Sequence, residues 1–165
     1  MRPAVDALLW MLDSAFEGGN HSLMANLKDV RDQDWLATPP EGRRSIASIL
    51  EQVGWANWMY ENYGFGDGSL KGAESPMTPR DGRARPRLEL LGWLGEGHLR
   101  LRARIDALPE DAELDRPRFH YGRQTGRPTR EIIRVMISHD FYHAGEINHV
   151  RALLQGNDAW PHGGP

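Results

Sequence analysis

Two histidines four residues apart, His139 and His143, and a glutamate one turn further on, Glu146, are the residues whose types and spacing could do chemistry. On a helix, side chains at i and i+4 project side by side from successive turns. Two ring nitrogens can then converge on one cation at the roughly 2.0–2.1 Å that zinc takes. The three residues fall within Glu131 to Leu154, EIIRVMISHDFYHAGEINHVRALL, which reads as one long helix with no Pro and a single glycine, Gly145. At about 100° per residue, Ile132, Val135, Met136, His139, His143, Glu146, Val150, Leu153 and Leu154 share one face. That face is expected to point into the protein, where polar groups need partners. A metal would answer the need. Two hydrogen-bonded core histidines are the plainer answer. Glu146 has four open roles: a fourth ligand, a partner that fixes an imidazole tautomer, a general base, or a salt bridge to an arginine at the bundle end.

Other polar residues carry weaker signals. His149 lies roughly 80° off the site face, which favours packing or surface. Asp140 is expected to point away from His139 and to be solvated or paired. His98 falls in an apolar seam, where a histidine bonded to a neighbour is the plainer expectation. His21 and His120 sit in connections, and His162 belongs to a tail. No Ser-His-Asp arrangement can be argued, and neither G-x-x-x-x-G-K nor G-x-G-x-x-G occurs.

The elements that must position these residues follow from periodicity. Pro3 to Phe16 reads as a first helix, with Pro in its first turn and a stripe of Val5, Leu8, Leu9, Leu12 and Phe16. After Gly18-Gly19-Asn20, His21 to Val30 reads as a second, shorter helical piece. Ser45 to Tyr63 reads as a long helix that Ser45 or Ser48 is placed to cap. Ile49, Gln52, Ala56, Met59 and Tyr63 share one of its faces, which puts the polar Gln52 in mid-stripe. Gly64 to Arg87, rich in Gly and Pro, reads as a long, partly mobile loop. Leu88 to Leu108 reads as another helix, its seam formed by Leu91, Leu94, His98, Leu101, Ile105 and Leu108. Residues 109–128 form a second long connection, and Thr129 is placed to cap the last helix. With no convincing strand pattern, the fold class expected is all-α, a four-helix bundle in a single domain over 1–165.

Composition narrows the function. The 165 residues carry a formal net charge of −3, with 39% hydrophobic and 26% charged residues, and a mean hydropathy of −0.61. Nothing here suggests a general nucleic-acid binder. Cysteine is absent, which excludes disulfides, thiolate-ligated zinc and a cysteine nucleophile, so any transition metal must be held by N and O ligands. No run reaches the length of a membrane span, and the N-terminus has no secretory pattern. A cytoplasmic location is the expectation.

HDFYHAGEINHVRALLQG at 139–156 and SIASILEQVGWANWMYENYGFGDGS at 45–69 resemble the last-helix and second-helix segments of the DinB/YfiT-like superfamily of metalloenzymes. The likeness runs through most of the chain in order. It implies an up-down-down-up four-helix bundle, often a homodimer, with a divalent metal held on three histidines between helices. Two of these correspond to His139 and His143. At the third position this chain has Gln52, a neutral oxygen donor that suits harder cations better than zinc. Ni or Zn is the expected metal, with affinity falling near pH 6.5 as ordinary imidazoles protonate.

The resemblance further implies a metal-dependent enzyme, with a thiol-dependent S-transferase or isomerase of the mycothiol or bacillithiol type as one form. A metal with an open position lowers the pKa of a thiol or water that it binds. The thiol would have to come from a small-molecule cosubstrate, and Glu146 is the candidate to manage its proton. The alternatives are a non-catalytic small-molecule-binding bundle or a stress-associated one, with a degenerate metal site.

Overall fold

The computed structural model describes residues 1–70, 85–119 and 125–157. Four long helices carry the architecture: α1 Pro3–Phe16, α2 Ile46–Phe65, α3 Arg87–Asp106 and α4 Thr129–Gln155. Two-residue strands Pro117–Arg118 and Arg127–Pro128 pair antiparallel just before α4. The fold is all-α, as the periodicity predicts. Of the expected loop over 64–87, residues 71–84 lie outside the described residues, as do His120 and His162.

Contacts at the helix ends fix the order. Arg2 pairs with Asp106, and Arg102 with Asp13 at 3.0 Å, so α1 and α3 run antiparallel. Gly54 packs on Trp93, Gly97 packs on Trp58, and Glu61 accepts from Arg104 at 2.8 Å, so α2 and α3 run parallel. Gly64 lies against Ile132, whereas Arg44, just before α2, reaches Glu146, so α4 runs antiparallel to α2. This is the up-down-down-up order.

Local chemistry sets the ends. Ser45 Oγ accepts from Ser48 N–H at 3.2 Å and starts α2. Gly156, at φ 65°, closes α4 in the left-handed conformation that glycine adopts without strain. Asp111 accepts from the free N–H groups of Ala4 and Val5 at 3.1 and 3.0 Å and holds the start of α1. Thr129 does not cap α4. It is fully buried, donates to the Arg116 carbonyl and accepts from Arg118 Nε, each at 2.9 Å, and Pro128 takes the cap position.

The expected helical piece at His21 to Val30 is corrected. Only a 3-10 turn, Ala25–Leu27, forms there. Ser22 Oγ accepts from Ala25 N–H at 3.3 Å, and the Asn26 amide donates to the Ser22 carbonyl at 2.8 Å. These short polar side chains give the backbone partners outside a regular helix.

The core has two apolar clusters. One gathers Phe16, Leu23, Ile46, Leu50, Val53, Leu94 and Ile147. The other gathers Leu9, Leu12, Leu101, Ile105, Ile133 and Met136. His98 lies buried, with its ring stacked on Phe16 at 4.0 Å and Nε2 3.3 Å from Asp13 Oδ1. No described helix is long and apolar enough to cross a membrane.

Candidate metal centre

α4 has apolar neighbours on two sides, α1 and α2. Its buried arc is therefore broad and centred on Ile133, Met136, Ile137, Asp140, Ala144 and Ile147. His143 is buried, His139 half-buried, and Glu146 has a side chain 22% exposed. The three chemical residues thus sit at the edge of the arc, where α4 meets the start of α2. Leu153, expected inward, is 49% exposed.

The imidazoles face each other. His139 Nε2 and His143 Nε2 are 3.1 Å apart, and the rings meet edge to face with centroids at 4.3 Å. Glu146 Oε2 lies 2.7 Å from His143 Nδ1. A carboxylate there holds the Nδ1–H tautomer and leaves the Nε2 lone pair free. Burial, then His143, then Arg44, pushes His139 down to about 4. Burial also lowers His143, against the pull of Glu146. Both rings are therefore neutral at pH 7, the state in which imidazole binds a metal. His139 Nδ1 is buried and has no hydrogen-bond partner.

Gln52 is corrected as to burial: it is exposed, not inside a stripe. The buried arc of α2 keeps Ile49, Ala56 and Met59 of that stripe but widens away from Gln52, through Ile46, Leu50, Val53 and Asn57. Gln52 stays on the rim of the site through Arg44. One Arg44 nitrogen donates to Gln52 Oε1 at 2.6 Å, and the other to Glu146 Oε1 at 2.7 Å. Gln52, Arg44, Glu146, His143 and His139 form one hydrogen-bonded chain. Arg44 gave no sequence signal, because it precedes its helix and meets α4 at a residue 102 positions away in sequence.

Asp140 is corrected too. It is fully buried with both carboxylate oxygens unpartnered, and burial pushes it up to about 8. The signal was available: Ile133, Ile137, Asp140, Ala144 and Ile147 also recur at three and four residues. His149 is exposed, as its angle predicts.

The spacing of the two imidazole donors suits a divalent ion. Two cis ligands at about 2.0–2.1 Å place their nitrogens about 3.0–3.3 Å apart, close to the observed separation. The neutral rings fit as well. Among the described residues no cluster of three or more His, Cys, Asp or Glu stands ready to hold an ion.

No curated protein matches the chain. The family model of the DinB superfamily matches residues 15–147, which span α2 and α3 and both histidines on α4. The bundle order and this match together place the chain in the DinB superfamily.

Proposed function

We propose that this chain is a divalent-metal-dependent enzyme in which His139 and His143 hold Ni or Zn through Nε2. The observation that carries the reading is the 3.1 Å approach of two Nε2 atoms, with Glu146 fixing His143 from the opposite side of the ring. Gln52 Oε1 becomes the third donor once Arg44 releases it. The bound ion would supply Lewis acidity to a thiol or water. Of the roles open to Glu146, positioning His143 is favoured, because its carboxylate lies on the Nδ1 side. From there it orients the ring and raises the basicity of Nε2. The absence of cysteine means that a thiol reaction needs a low-molecular-weight thiol as cosubstrate, and S-transfer or isomerisation is the reaction class proposed.

A second reading has its own support. Arg44 bonds both Gln52 and Glu146 and sets a cation beside the imidazoles, which opposes a second positive charge. In that reading the bundle binds a small molecule without catalysis. Metal analysis of the protein purified without added metal, followed by a thiol-transfer assay, tests both. About one equivalent of Ni or Zn, with turnover that depends on it, is expected. A stoichiometric metal retained by the His139→Ala/His143→Ala double variant would sink the assignment.

A further inference from the structure

The strip of α4 that carries His139, His143 and Glu146 continues through His149, Val150 and Leu153. Opposite that continuation runs the segment from Pro39 to Arg44, and the two walls enclose an open cleft of about 430 Å³. This is in the size range of small-molecule sites, roughly 300–1,000 Å³. Val150 lies seven residues from His143, or about 10 Å along the axis. The cleft shares Arg44 and Glu146 with the imidazole site.

Its two walls differ in chemistry. Val150, Leu153 and Pro39 supply an apolar surface, with Leu153 49% exposed although nothing polar is gained there. Arg44 and Glu146 are spent on each other. Arg43 and Glu41 are both exposed, and neither forms an ion pair among the described residues. Glu41 also stands at φ 60°, in the turn closed by Gly42 N–H donating to the Pro39 carbonyl at 2.9 Å. That conformation suits glycine, and a glutamate there is strained. The turn therefore holds one free carboxylate and one free guanidinium, two residues apart, over an apolar floor.

We infer that this cleft binds a small zwitterion with an apolar body, of the amino-acid or short-peptide class. The carboxylate goes to Arg43, the ammonium to Glu41, and the side chain to Val150 and Leu153. The inference rests on the proposed function in taking the imidazole end as the place where the ligand reacts, but the binding itself needs no metal. A ligand seated there lies end-on to Glu146 and His143, with Arg44 between.

The test is an amide-resolved NMR titration of the full chain with L-leucine, leucinamide and N-acetyl-leucine. Expected is millimolar binding of leucine with shifts confined to 41–44 and 146–153. Leucinamide, without the anion, and N-acetyl-leucine, without the cation, should each bind at least fivefold more weakly. Arg43→Ala should weaken leucine and N-acetyl-leucine and spare leucinamide, whereas Glu41→Gln should weaken leucine and leucinamide and spare N-acetyl-leucine. Both substitutions are on an exposed turn, and unchanged spectra elsewhere verify the fold. The His139→Ala/His143→Ala variant should bind leucine as the parent does, so failure of the metal reading leaves this result standing. Equal affinity for all three probes, or shifts outside the two segments, overturns the proposal.

Discussion

The chemistry of single residues depends on what burial does to their protons. His139 is held near pH 4, far below an ordinary imidazole. His143 is lowered as well, so metal affinity should persist through pH 6.5 and weaken only at lower pH than ordinary imidazoles imply. Titration calorimetry with Ni at pH 7.5, 6.5 and 5.5 checks this, and a steep loss already at 6.5 would count against the neutral pair. Asp140 carries the opposite sign. Its folded pKa is raised from 3.8 to about 8, so the folded state keeps a proton that the unfolded chain gives up. The resulting stability is complete below about pH 4 and is lost as pH rises toward 8, with a slope of up to about 1.4 kcal/mol per pH unit. Asp140→Asn removes that slope. Denaturant midpoints should show the variant gaining on the parent between pH 5 and pH 8, and a constant difference would mean that Asp140 is ionised in the fold. Gln52→His supplies a nitrogen donor and frees Arg44 from one of its two bonds. Ni or Zn affinity should rise about tenfold or more, worth about 1.4 kcal/mol, and Tm in the presence of metal should rise with it. If affinity falls or stays level, Gln52 is not at the third ligand position.

At the scale of the elements, α2 and α3 lie close because glycines meet tryptophans. A Cβ on Gly54 would stand 1.6 Å from the Trp93 ring, and one on Gly97 would stand 2.9 Å from Trp58. Trp58 and Trp93 stack at 6.0 Å, so neither ring moves alone. Gly54→Ala gains up to about 1 kcal/mol of helix propensity but forces an overpacked core, which costs about 1–3 kcal/mol or more. Net destabilisation of about 1–2 kcal/mol is expected. Gly145 on α4 is the control: it is exposed, with nothing within 4 Å of an added Cβ. Gly145→Ala should stabilise by about 0.5–1 kcal/mol. Urea unfolding of the two variants checks both signs, and a stabilised Gly54→Ala would mean that α2 and α3 are further apart than described.

For the whole molecule, the bundle order brings the start of α2 to the middle of α4, and that places Arg44 and Gln52 beside the histidines. A homodimer is what the family resemblance implies. Trp10 on α1, 70% exposed, and Leu99 on α3, 63% exposed, are large apolar side chains on neighbouring helices. Light scattering should give about twice the 18.7 kDa of one chain, and Trp10→Glu should shift the mass toward the monomer. A monomer at every concentration tested would overturn that expectation.

The sequence by itself determined the four long helices and most of their ends. Pro3, Ser45 and Gly156 mark boundaries through backbone chemistry that operates within a few residues, so no tertiary information is needed to read them. It also determined that His139 and His143 converge, because i, i+4 spacing fixes that on any helix. Only the tertiary structure decided which arc of each helix is buried. Periodicity gives a direction, but α4 has neighbours on two sides, and its buried arc is wider than one stripe and turned toward Asp140. Gln52 lies at the rim for the same reason, since α2 turns Asn57 and Val53 inward. Arg44 belongs wholly to the tertiary structure: a loop residue has no period, and its two bonds exist only because antiparallel packing carries it to Glu146.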